Sequence, residues 1–167
     1  MARCQVDVQA AGLADYGKPG NYFDRQIGRW SKQYVASITQ PIEEMDKLMQ
    51  WLPANMPASA RDESKVSIVH GDFRLDNTVF HPTEPRMLAV LDWELSTLGH
   101  PMVDFAYHCM TWHMTNGPTS RGLAGADLAA LGIPGEPAYL QTYLQATGQA
   151  GRQISADVWG TYIVFNM

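Results

Sequence analysis

From Tyr22 onward apolar residues recur at spacings of three and four. Phe23, Ile27, Trp30, Tyr34 and Ile38 draw one face, and Arg25, Arg29, Lys32 and Gln33 fall mostly opposite it. That period predicts an amphipathic helix. Gly12, Gly17, Pro19 and Gly20 mark the stretch before it, residues 1–21, as loop. Pro41 suits the first turn of a second helix. Its face is Met45, Leu48, Met49 and Leu52, and Pro53 and Pro57 are expected to end it. The period then shortens. Val66, Ile68 and Val69 form a β-rich run that stops at His70-Gly71. Thr78–Phe80 and Met87–Leu91 flank the turn His81-Pro82-Thr83-Glu84-Pro85 and predict a β-hairpin. Helical spacing returns at Met102 with Phe105, Ala106, Cys109 and Trp112. Residues 116–136, rich in Gly and Pro, predict a surface loop with one helical turn near Asp127–Leu131. Pro137–Ala146 and Ser155–Met167 predict two last helices, the second capped by Ser155. The pattern is that of one α+β domain, mostly helical, over residues 1–167.

Composition narrows the class. Of 167 residues, 46% are apolar, enough for a packed core, and 12 Lys and Arg against 17 Asp and Glu leave a net charge of −5. That balance argues against binding nucleic acid through a basic face. Two cysteines, Cys4 and Cys109, make no disulfide framework. No run of apolar residues is long enough to span a membrane, and the start lacks the apolar stretch of a signal peptide. The expectation is a cytoplasmic protein without membrane or nucleic-acid partners. The five Trp and nine Met fall on the apolar faces and are expected in the core.

The densest polar group sits between two apolar runs and reads His70-Gly71-Asp72-Phe73-Arg74-Leu75-Asp76-Asn77, followed across the hairpin by Leu91-Asp92-Trp93-Glu94. An acid and an amide on one loop, with a second acid on the adjacent strand, can converge on one small volume. Phosphoryl transfer to a hydroxyl needs such a set. One carboxylate orients the hydroxyl and takes its proton, and hard oxygen donors hold Mg²⁺ against the nucleotide phosphates. His108, Cys109 and His113 also invite a zinc reading. The two histidines are five apart, however, and do not share a helical face as a separation of four would, so packing is expected.

His70-Gly71-Asp72 with Asn77, and then Leu91-Asp92-Trp93-Glu94, resembles the catalytic loop and metal-binding segment of the aminoglycoside phosphotransferase and choline kinase-like family. The wording of residues 12–39 and 70–113 is most similar to the kinase-like domains associated with acyl-CoA dehydrogenases. The resemblance implies the C-terminal, large lobe of a protein-kinase-like fold, with a small β-hairpin carrying the catalytic loop. It implies Asp72 as catalytic base, Asn77 and Asp92 as magnesium ligands, ATP as co-substrate and a small-molecule hydroxyl as acceptor, aminoglycoside-like or hydroxyacyl-CoA-like. It extends to Leu98–Ala106, where Asp104 would start a helix and brace the catalytic loop. His70 is expected to brace the loop, Arg74 to steer substrate or phosphate or simply to sit at the surface, and Glu94 to support the metal shell or pair structurally.

The family's nucleotide-holding lobe has a glycine-rich strand-loop-strand and a strand lysine, and neither is legible here. Residues 1–11 resemble the tail of a helix that follows the hinge, and the last helix stops inside an apolar pattern. The expectation is therefore a lobe without its N-terminal partner and with a truncated final helix. The competing reading is an inactive lobe remnant that serves as an interaction module, homodimerising through the face the missing lobe leaves uncovered. A metallophosphoesterase ranks below both, because its Asp-x-His and Gly-Asn-His motifs are absent.

Overall fold

The structure is a computed structural model and describes residues 6–18, 20–118 and 121–167. The elements run α1 (Tyr22–Ser37), α2 (Glu43–Asn55), β1 (Ser67–Val69), β2 (Thr78–Phe80), β3 (Met87–Val90), β4 (Thr97–Gly99), α3 (Met102–Cys109), α4 (Glu136–Ala146) and α5 (Ala156–Asn166). The α+β, mostly helical class is the one observed. No helix among the described residues is long and apolar enough to cross a membrane. Of the two cysteines, Cys109 is a free thiol buried in the core, and Cys4 lies outside the described residues.

Two small antiparallel sheets carry the loops. β2 pairs with β3, the expected hairpin. β1 pairs with β4, matching Ser67 to Gly99 and Val69 to Thr97. β4 is an element the sequence pattern did not announce. Its three residues are too few to show a period, and the backbone pairing with β1 defines it. Gly99 is required there, because a Cβ would stand 2.5 Å from the Tyr22 ring.

The core gathers around α3 and α5. Phe23 enters it from α1 and meets the rings of Tyr162 at 5.5 Å and Phe165 at 4.7 Å. On the other side of α3, Phe105 stacks on Tyr143 at 3.9 Å and lies 5.8 Å from Trp159. Ser155 caps α5 as its sequence position suggests, its Oγ accepting from the Val158 amide at 3.3 Å. His108 and His113 are spent on packing contacts. The His108 ring is 3.2 Å from the Tyr139 hydroxyl, and His113 pairs with Glu136 at 2.9 Å.

Three expectations need correction. Pro53 does not end α2 but lies inside its last turn, where one missing amide costs little and the Asn55 side chain donates to the Trp51 carbonyl at 2.8 Å. Of the helix tail expected over residues 1–11, residues 1–5 lie outside the described residues and 8–11 form turns. Tryptophan is also less buried than its spacing implies. Trp159 is in the core, but Trp30, Trp51 and Trp93 are each 42–48% exposed. For Trp30 the reason is visible in α1. Its first half packs on the core through Tyr22, Phe23 and Ile27, while its second half meets little but α2 and leaves its apolar face along a groove.

The packing around His100 sets a pH dependence. This ring is buried beside Phe23 and Tyr162, and its Nδ1 accepts from the Met102 amide at 3.2 Å. Burial pushes its pKa down to about 4, helped by Lys65 and Arg152. The unfolded chain then binds a proton that the folded chain refuses between pH 6.5 and about 4. Stability is full above that window and is lost as pH falls through it. Between pH 7.5 and 5 the expected loss from this residue is about 2 kcal/mol. Asn at 100 offers an oxygen where Nδ1 accepts. Urea midpoints at the two pH values should therefore fall farther apart in the wild type than in His100→Asn, and equal separation would remove the assignment. His108, whose pKa burial also lowers, contributes with the same sign to both proteins.

Candidate active site

The site is built on one backbone unit, Leu91. The ladder of β2 and β3 continues one step past Val90, with the Leu91 amide donating to the Asn77 carbonyl at 2.8 Å. On its other side the Leu91 carbonyl lies 2.7 Å from Nε2 of His70. The segments at 70, 77 and 91 are thereby stitched together although up to 21 residues separate them. His70 is buried, and its Nδ1 accepts from the Asp72 amide at 3.2 Å. One acceptor and one donor on the same ring define the neutral tautomer with its proton on Nε2. His70 thus sets the course of the loop that follows it.

Asp104 holds the same loop from below. Its Oδ2 accepts from the His70 amide at 2.6 Å and its Oδ1 from the Gly71 amide at 2.9 Å. Burial raises the pKa of this carboxyl, and the two amides pull it back. Gly71 has φ +86°, and a Cβ there would stand 2.8 Å from the Leu95 carbonyl oxygen, so only glycine makes the turn.

Asp72 and Asn77 meet directly. Nδ2 of Asn77 donates to the Asp72 carbonyl at 2.8 Å and to Asp72 Oδ2 at 2.9 Å. Both partners can only accept, so the amide orientation is determined, and Oδ1 of Asn77 points away from them. Arg74 stands 3.7 Å from Asp72 and 3.9 Å from Asp76, half exposed, a loose ion pair of small worth.

Asp92 follows Leu91 at once and is exposed, with φ 65° and ψ 58°. A left-handed residue other than glycine is strained. Here it turns the chain sharply out of β3 into the turn Trp93–Leu95, which the Trp93 indole closes by donating to the Val90 carbonyl at 2.8 Å. Glu94 lies exposed in that turn. Among the described residues no group of three His, Cys, Asp or Glu is placed to hold a metal. The candidate donor set is one carboxylate and one amide oxygen, Asp92 and Asn77. Such hard oxygens suit Mg²⁺, which keeps several waters of its own.

A groove of about 510 Å³ opens on the other side of Asp72. Its walls come from α1 and α2, from α5 near its end, and from Gly71, Asp72, Leu95, Asp104 and Tyr107. Asn77, Asp92 and Glu94 do not line it. Asp72 therefore stands between the groove and Asn77. Tyr107, which the sequence reading passed over, is part of the site. Burial raises its pKa, and so does the negative charge of Asp72. The signal that could have found it is its spacing. It lies three residues after Asp104, on the same side of one helix.

A family model described as the phosphotransferase enzyme family matches residues 3–156. The chain belongs to this family. A solved structure of a candidate aminoglycoside phosphotransferase from Ralstonia eutropha is 59% identical, with a TM-score of 0.87, and the match covers 98% of this chain and 47% of that one. Acyl-CoA dehydrogenase family member 10 of Mus musculus is 43% identical over 162 residues, 96% of this chain and 14% of that protein. Acyl-CoA dehydrogenase family member 11 of Rattus norvegicus is 52% identical over 102 residues, 61% of this chain and 13% of that protein. This phosphotransferase-family chain thus spans less than half the solved relative and under a fifth of each dehydrogenase relative. Its fold is kinase-like, as the resemblance implied.

Proposed function

We propose that the protein of which this lobe is part transfers the γ-phosphoryl group of ATP to a hydroxyl of a small molecule. The observation that carries the reading is the carboxylate of Asp72, held by the Asn77 amide at 2.9 Å and facing the groove. An acceptor hydroxyl in the groove reaches Asp72, which orients it and takes its proton as the oxygen–phosphorus bond forms and ADP leaves. Asn77 and Asp92 would hold Mg²⁺, which when bound neutralises charge on the phosphates. Asp104 and His70 keep the loop in register.

The groove also bears on the acceptor. Ile27, Trp30, Met45, Leu48 and Met49 line it, and among the described residues its only side-chain carboxylates are Asp72 and Asp104. A polycation such as an aminoglycoside wants several acids, whereas an acceptor with an apolar arm, hydroxyacyl-CoA-like, matches the walls. The test of the metal assignment is calorimetry of ATP binding to the full-length protein. With Mg²⁺ present, Asp92→Ala should weaken binding about 10-fold or more, and with Mg²⁺ chelated the two proteins should bind alike. Equal affinity in both conditions would overturn the assignment.

A second reading, an inactive lobe that docks on another copy, draws on the apolar side chains exposed along the hairpin and the turns on either side of it: Leu75, Phe80, Leu88, Leu91, Trp93 and Leu95. Under that reading sedimentation shows a dimer at micromolar concentration, and a monomer throughout counts against it.

A further inference from the structure

We propose that the outer face of α1 seats phosphate groups carried by the acceptor, with Arg29 and Lys32 binding them over a notch at Gly28. The inference rests on the phosphotransferase reading with an apolar-armed acceptor, and it names what the far end of that acceptor bears: phosphate esters, as in an acyl-CoA. A shallow depression on α1 is lined by Asp24, Arg25, Gly28, Arg29, Lys32 and Gln33. It adjoins the groove beside Asp72, because Gln33 lines both. Trp30 joins the two a second time. Its ring lines the groove and is 48% exposed, and the Arg29 guanidinium stands 5.2 Å from the ring centroid. That contact holds a cation at the groove's edge. Asn77 and Asp92, which would hold the magnesium of the nucleotide, do not line the groove, so phosphates that reach α1 belong to the acceptor.

Charge and space agree on this face. The chain as a whole is acidic, at −5, yet the depression gathers three cations and one acid. That acid, Asp24, lies 3.4 Å from Arg61, and Arg25 donates to the Lys18 carbonyl at 2.6 Å. Among the described residues Arg29 and Lys32 have no ion-pair partner. Arg25, Arg29 and Lys32 follow one another at helical spacings of four and three, where like charges repel, and an anion between them removes the repulsion. Gly28 is an independent sign. Glycine in the middle of a helix is costly relative to alanine. Here packing does not demand it, since a Cβ would meet no protein atom within 4 Å, and neither does the backbone, which is ordinary α-helix. The missing side chain leaves an open notch with Arg25 three residues before it and Lys32 four after, a place where an oxyanion can approach the helix among its cations.

The test on the full-length protein uses decanoyl-CoA, which has the apolar arm and the phosphates but no hydroxyl to accept phosphate. Binding is followed on the ¹⁹F resonance of Trp30 in protein labelled with 5-fluorotryptophan, identified by its absence from Trp30→Phe. The double variant Arg29→Ala with Lys32→Ala should weaken decanoyl-CoA about 10-fold or more. Decanoyl-pantetheine, which lacks the nucleotide phosphates, should bind the wild type and the double variant alike. Gly28→Gln, which fills the notch, should raise the melting temperature yet weaken decanoyl-CoA about 3-fold or more. Equal decanoyl-CoA affinity in the wild type and the double variant overturns the proposal, as does a Trp30 resonance that decanoyl-CoA leaves unmoved in the wild type. Kinetics separate this idea from the reading beneath it. With a hydroxyacyl-CoA as acceptor, the double variant should raise KM for the acceptor and not KM for ATP. Transfer with an unchanged acceptor KM, or with a raised KM for ATP alone, keeps the phosphotransferase reading and overturns the seat on α1. Should neither protein transfer phosphate while the double variant still loses decanoyl-CoA, the phosphotransferase reading fails and the seat stands.

Discussion

Asp72→Asn should lower the rate of phosphoryl transfer by the full-length protein about 10²–10⁴-fold while leaving its folding intact. The substitution keeps the size of the side chain and one carbonyl oxygen, which can still accept from the Asn77 amide now 2.9 Å away. It removes the only property a base needs, a negative charge able to take the acceptor's proton. The stability change should be under about 1 kcal/mol, because the remaining ionic partner, Arg74, is 3.7 Å off and half exposed. ATP affinity should not change, since Asp72 is not among the proposed magnesium ligands. Initial rates of acceptor-dependent ADP release, read beside a thermal melt and ATP calorimetry, separate these outcomes. A loss under about 10-fold with unchanged fold would leave Asp72 without its role as base.

Asp104→Ala has the opposite signature and should unfold before it inactivates. Its two oxygens satisfy the amides of His70 and Gly71 in a partly buried place, at 2.6 and 2.9 Å. Alanine leaves both donors without acceptors and also leaves a gap, and each orphaned amide costs about 1–3 kcal/mol. A total near 2–5 kcal/mol is expected, a large share of the stability of a domain this size. The cost is tempered because the carboxylate itself is burdened by burial, which raises its pKa. Protonation of Asp104 is therefore easier in the folded chain. Its ionised form contributes less as pH rises from the ordinary carboxylate range through the raised value, and above that the contribution is constant. Urea unfolding of this chain at neutral pH checks the magnitude. A shift in midpoint worth less than about 1 kcal/mol would mean that the loop finds other acceptors.

The two substitutions fall on one constellation, yet only one of them was straightforward to place from residues in order. Asp72, Asn77 and Asp92 are ordinary turn formers one by one, and their spacing around two apolar runs is what singles them out. That spacing is readable because a hairpin is a local structure. Thr78–Phe80 and Met87–Val90 declare themselves by β-rich runs around a proline-bearing turn, so Asn77 and Asp92 had to lie near each other. Asp104 and Tyr107 are harder. Asp104 binds the loop over a separation of more than thirty residues and Tyr107 lines the groove beside it, both from a helix whose own period reports only which face is buried. Their part in the site depends on how α3 is set against β1 and β4, and no local pattern encodes that. The exposure of Trp30 is a similar case. The period of α1 is continuous, but its neighbours are not, and the last turns find α2 on one side and a groove on the other.

What the order of residues determined by itself was the kind of chemistry and the kind of fold. The helical and strand periods, the hairpin, the loop from His70 to Asn77 and the acid that follows Leu91 are all local, and local patterns survive in one dimension. Tertiary structure alone decided which groups meet. The Leu91 backbone is shared between Asn77 and His70, Asp104 is turned under the loop, and a groove that Tyr107 lines opens beside Asp72. These contacts join segments far apart in sequence. Side-chain packing and the need to pair every buried amide select them, and both act only once the chain has closed on itself.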